Sequence, residues 1–173
     1  GLQGIKDRDS YFKIIGLDIK LATGGFTREH IAAVAESGIA QEPRRIVMYE
    51  KIGGEAWVTL DNFANEAGDF ANPLRILNGG FKHKAEEHFG HGANGWWKVM
   101  LCDAEGKLQD SAPDKIGGDR TSRSNNLRIE VGLSCWRCHN NGGMQPINDW
   151  VRKMFVDSPL KLDGPDVVLV AKL

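Results

Sequence analysis

No apolar run in this chain approaches the roughly 20 residues that cross a bilayer as a helix. A signal-peptide pattern is missing too, since Gly1 to Ser10 is polar. If the protein is exported, its targeting segment has been removed or lies upstream of these residues. Charge of one sign is also missing: 22 Lys and Arg meet 23 Asp and Glu, for a formal net charge of −1. That leaves no basic footprint for nucleic acid and no strong field to steer a partner. Repeats, heptads and low-complexity tracts are absent. Cysteine is scarce and odd in number, with three in 173 residues. Two of the three sit in one tight motif. Cys102 lies alone in an apolar stretch and reads as a small buried core residue.

What is present suits an ordinary globular chain, 41% apolar and 26% charged. Its length fits a single domain over 1–173 with a real core. The apolar run Val167 to Leu173 suggests that the polypeptide continues, although a docked last helix would read the same way.

Strand and helix signals are mixed. Tyr11 to Leu21 is weakly strand-like. Thr27 reads as an N-cap, with Phe26 as a staple, for a helix through Ser37 that Gly38 ends. Arg45 to Ile52 and Glu55 to Leu60 read as a hairpin around Gly53-Gly54. Asp61 to Leu77 reads as a long loop, and Gly79 to Gly95 is rich in Gly and His. Trp96 to Cys102 is an apolar strand, followed by the turn Asp103-Ala104-Glu105-Gly106-Lys107. Ser111 to Asn126 is a polar connection. Pro146 to Phe155 has the apolar spacing of a helix. The expected class is α+β, with antiparallel hairpins, a few helices and the chemistry-bearing motif near the C-terminus.

That motif is Cys135-Trp136-Arg137-Cys138-His139. Two thiols three positions apart on a turn can each add to one of two vinyl groups on a haem edge. The adjacent His139 then falls under the iron. A zinc site would want a second ligand pair, and a redox dithiol would want a βαβ setting; neither is evident. The expectation is one covalent haem c, attached through Cys135 and Cys138, with His139 proximal. Such attachment takes place outside the cytoplasm, which predicts a periplasmic or extracellular protein. Trp136 is expected on the haem edge or on the domain surface. Arg137, with Arg120, Arg123 and Arg128, is a candidate partner for the propionates. Trp96 and Trp97 are candidate pocket walls.

Only 34 residues follow His139, so a distal ligand is sought upstream. The candidates are His30, His83, His88, His91, Met48, Met100, Met144 and Met154. The segment Phe81 to His91 holds three of the five histidines, and His83 or His88 comes first. His30 reads as solvated, Met48, Met100 and Met154 as core. Met144 is too near His139 for an easy wrap to the opposite haem face but suits packing against the ring.

From Ser37 onward particular stretches add a likeness. They are Ser37-Gly38-Ile39 with Arg45-Ile46-Val47, Trp57 and Asp61-x-Phe63, and Asn72-Pro73-Leu74 with Phe81-x-His83. The turn Asp103 to Lys107 leading to Pro113 follows, then Gly132-Leu133-Ser134-Cys135-x-x-Cys138-His139-x-x-Gly142-x-Met144. On these residues the chain resembles mono-haem cytochrome c domains of large secreted bacterial proteins. The resemblance implies an electron-carrying module with a redox protein partner, and no defined enzyme activity. A weaker, architectural resemblance is to the cytochrome P460 and c′-β group, which also sets an antiparallel sheet before a C-terminal haem motif. It implies an open iron site for hydroxylamine, nitric oxide or peroxide chemistry. In P460 members a lysine is cross-linked to the haem, a role for which Lys51, Lys82, Lys84 and Lys98 are the candidates.

Overall fold

Asp7 opens the first helix. Its extended backbone lets the carboxylate accept from the Ser10 N–H at 2.8 Å, while the Ser10 hydroxyl accepts from the Asp7 N–H at 3.0 Å. Gly16, left-handed at φ 70°, ends it. Helix α1 (Arg8–Ile15) thus turns Tyr11, Phe12 and Ile15 to one buried side. A computed structural model describes residues 4–18, 28–34, 37–63, 72–74, 80–122, 126–140, 144, 147, 149 and 152–153.

Six strands follow: β1 (Arg28–Val34), β2 (Arg44–Lys51), β3 (Gly54–Asp61), β4 (Ala85–His91), β5 (Trp97–Asp103) and β6 (Leu108–Gln109). They form one antiparallel sheet whose spatial order is the order of the chain. Helix α2 (Leu133–Cys138) carries the cysteine motif. The class is α+β, dominated by the sheet.

Alternation along each strand gives the sheet two different faces. On one, Val47, Tyr49, Val58 and Met100 pack with Tyr11, Phe12 and Ile15 of α1 into the main core. On the other, the register aligns Trp57 with Phe89 and Phe89 with Val99, and Cys135 of α2 packs on this row.

The Gly53-Gly54 hairpin, the strand ending near Cys102 and the turn closed by Gly106 (φ 82°) are found where the residues predict them. Two expectations are corrected. The helix expected from Thr27 to Ser37 is strand β1 over the described residues 28–34, because Ile31 and Ala33 reach the core side only in extended backbone paired to β2. The strand expected from Tyr11 is α1, where the i, i+4 spacing of Tyr11 and Ile15 and both caps outweigh the β-branched bias. The Gly- and His-rich segment contains β4, the fourth strand of the sheet. The helix expected over Pro146 to Phe155 lies mostly outside the described residues. Within it, Asp149 accepts from the Ala33 N–H at 3.1 Å, and Arg152 donates to the Ile31 carbonyl, covering the outer edge of β1.

Candidate functional site

The motif helix begins after Gly132, whose φ of 79° suits a residue without a side chain. Its entry is pinned reciprocally: the Ser134 N–H donates to the Glu130 carbonyl at 3.0 Å, and the Glu130 N–H donates to the Ser134 hydroxyl at 3.1 Å. His139 caps the far end, its N–H donating to the Cys135 carbonyl at 2.9 Å. Cys135 and Cys138 therefore share one turn, and His139 leaves the helix directly after it. Arg137 fastens the turn to the body of the protein with a 2.6 Å bond to the fully buried carboxylate of Asp119.

Cys135 is 1% exposed and packs against Phe89 and Val99. The His139 ring lies 4.7 Å from that of Phe89. Phe89, Trp97, Trp136, His139 and Met144 enclose a niche of about 10 Å³, room for one water at most. The donor types on this turn, two thiols and an imidazole, are those that covalent haem would use, and of these Cys135 and His139 lie against Phe89. A porphyrin edge would need the half-exposed Trp136 and Met144, which bound the niche, to swing outward.

Behind Cys135 lies a buried polar network. Its thiol donates to Glu87 Oε1 at 3.4 Å. Arg44 reaches Glu87 at 3.3 Å, grips Asp61 at 2.7 and 2.8 Å, and donates to the Thr59 hydroxyl at 2.8 Å. Burial pushes the Cys135 thiol well above its ordinary range, and the Glu87 charge adds to this. Burial and the Asp119 charge raise Cys138 as well. Both thiols stay protonated at neutral pH, which slows their oxidation to each other.

Arg137 serves Asp119, and Arg128 donates to the Ser111 hydroxyl at 2.8 Å; Arg123 lies outside the described residues. Trp97 lines the niche, while Trp96 is 70% exposed. No lysine is among the described residues that line the niche. The structure does not bring His83 or His88 to His139. His88 and Phe89 are neighbours on β4 and point to opposite faces, and His139 stands on the Phe89 side. His88 is instead fully buried under α1, 5.4 Å from the Phe12 ring and 2.9 Å from Glu86. His83 joins the same Glu86 at 2.7 Å. His91 does share the motif face, its ring 4.0 Å from that of Trp97. His30 is exposed and bonded to Glu50 at 3.0 Å.

Asp119 is the site residue that sequence reasoning missed, and the contact of Glu87 with Cys135 was not read from the sequence either. Reading residues 85–91 with a two-residue period would have put Glu87 beside Phe89; no local pattern marks Asp119.

No protein-family model matches the chain, and no curated protein or solved structure does. Among the described residues no helix is long and apolar enough to cross a membrane.

Proposed function

We propose that this chain is a mono-haem c-type cytochrome domain that transfers electrons outside the cytoplasm. Cys135 and Cys138 would hold the haem through thioether bonds, and His139 would be its proximal ligand. The bound group would supply a one-electron couple. The observation that carries this reading is the single turn that bears both thiols and the imidazole, with the His139 ring 4.7 Å from that of Phe89. Phe89, Val99 and Trp57 exclude water from the sheet side of that turn. Asp119 and Arg137 fix its orientation. Leu133 and Trp136, 53% and 41% exposed, flank the motif with apolar surface that a transient redox partner can touch.

A second reading has one observation in its favour. With His83 and His88 on the far face of the sheet, neither is placed to complete a six-coordinate iron. That favours an open site for gas binding or for hydroxylamine, nitric oxide or peroxide chemistry.

The test is expression with haem-attachment machinery, followed by ferric and ferrous optical spectra with and without carbon monoxide. Covalent haem that is lost in C135A/C138A is expected. A low-spin spectrum unmoved by carbon monoxide supports electron transfer. A high-spin ferric spectrum with rapid carbon monoxide binding selects the open site. No covalent haem in the wild-type chain sinks both readings.

A further inference from the structure

Beneath α1, on the face of the sheet away from the cysteine motif, three different donors converge. Glu86 Oε2 lies 2.9 Å from His88 Nε2, and Cys102 Sγ lies 3.2 Å from each of them. All three side chains are essentially buried. The register explains the cluster: Glu86 pairs with Cys102, and His88 stands two residues along the same face of β4. We infer that Glu86, His88 and Cys102 form a binding site for a borderline-soft divalent cation of the zinc type.

Oxygen, nitrogen and sulfur donors together suit zinc better than magnesium or calcium, which take oxygen alone. Tetrahedral zinc, with bonds of about 2.0–2.3 Å, spaces its donors by about 3.3–3.6 Å. The triangle here needs to open by only about 0.4 Å to accept the ion. The other carboxylate oxygen of Glu86 is already held, by Arg8 at 2.6 Å and His83 at 2.7 Å, so Oε2 is oriented by a second layer of contacts.

Hydrogen bonds to Glu86 Oε2 from His88 and from Cys102 already gather the three donors at close to ligand spacing. On taking up a cation, Cys102 would release its proton to solvent and bind as thiolate, and His88 would bind through Nε2.

Glu86 and His88 border a groove of about 880 Å³ that residues of α1 and of the sheet also line.

The experiment loads purified full-length protein with zinc, dialyses it and measures metal content. About one zinc per chain is expected in the wild type and in C135A/C138A. A loss of more than tenfold in affinity is expected in C102S, whose fold is checked by circular dichroism. Cys102 is the sole thiol in C135A/C138A, so cadmium added to that variant should produce thiolate-to-metal charge-transfer absorption. Wild-type protein that retains no zinc would overturn the site. So would zinc that persists in C102S or that departs with Cys135 and Cys138.

Discussion

Asp119 sits in a polar connection, yet it is fully buried and receives hydrogen bonds from Thr121, Ser134 and Arg137. Burial alone would raise its carboxyl; these bonds outweigh it and hold the group at about 2. A group depressed in the folded state stabilises it above the unfolded pKa of about 3.9 and loses that contribution as pH falls towards 2. The contribution is about 1–2 kcal/mol, discounted because the Arg137 partner is one-third exposed. Asp119→Asn should therefore flatten the fall in stability between about pH 4 and pH 2, read by urea titration at a series of pH values. Glu87 acts on the same turn through charge. A carboxylate 3.4 Å from the Cys135 sulfur favours the more positive, oxidised state of a haem held there. On the proposed reading, Glu87→Gln should raise the midpoint potential in protein-film voltammetry; an unchanged potential would remove Glu87 from the account. Met100 touches no haem site. It is fully buried in the core under α1, so Met100→Ala should cost about 2–5 kcal/mol in chemical denaturation.

The connection from β6 to α2 is held against the body of the protein by a strap in which Ala40 bridges Gly117. Gln41 donates to the Ile116 carbonyl at 3.1 Å, and the Gly118 N–H donates to the Ile39 carbonyl at 3.2 Å. A Cβ on Gly117 would lie 1.9 Å from the Ile39 carbonyl oxygen. Gly117→Ala should therefore break the strap and cost more than about 2 kcal/mol. It should also loosen α2, seen as faster amide exchange in residues 133–138. A variant with wild-type exchange there would show that Asp119 and Arg137 hold the helix alone. Residues 28–34 contain the helix-tolerant run Ile31-Ala32-Ala33, and only the ladder to β2 makes them extended. Residues 8–15 have β-branched residues at their end, and two caps with one buried stripe make them helical.

The sheet as a whole acts as a partition. The cysteine motif occupies one face, and the Glu86–His88–Cys102 triad occupies the other with α1. Substitutions on one side should leave the other undisturbed. On the proposed reading, His83→Ala should leave the haem spectrum unchanged, because β4 separates its Glu86 partner from Phe89 and His139. A shifted Soret band in that variant would show that the two faces communicate.

Local residue patterns carried the parts of this protein that depend on neighbours in the chain. Spacing three apart put Cys135 and Cys138 on one turn with His139 next to them. Gly53-Gly54 and Gly106 marked turns because their backbone adopts positive φ, and the apolar run before Cys102 marked a strand. Contacts distant in the chain decided the rest. Whether a histidine in 81–91 lies over or under the sheet depends on the phase of β4. That phase is set by pairing with β3 and β5, up to 34 residues away for Ala56 and Gly90. Asp119 meets Arg137, Glu87 meets Cys135, and Glu86 meets Cys102 only because the folded chain brings them together, and no short pattern encodes those meetings.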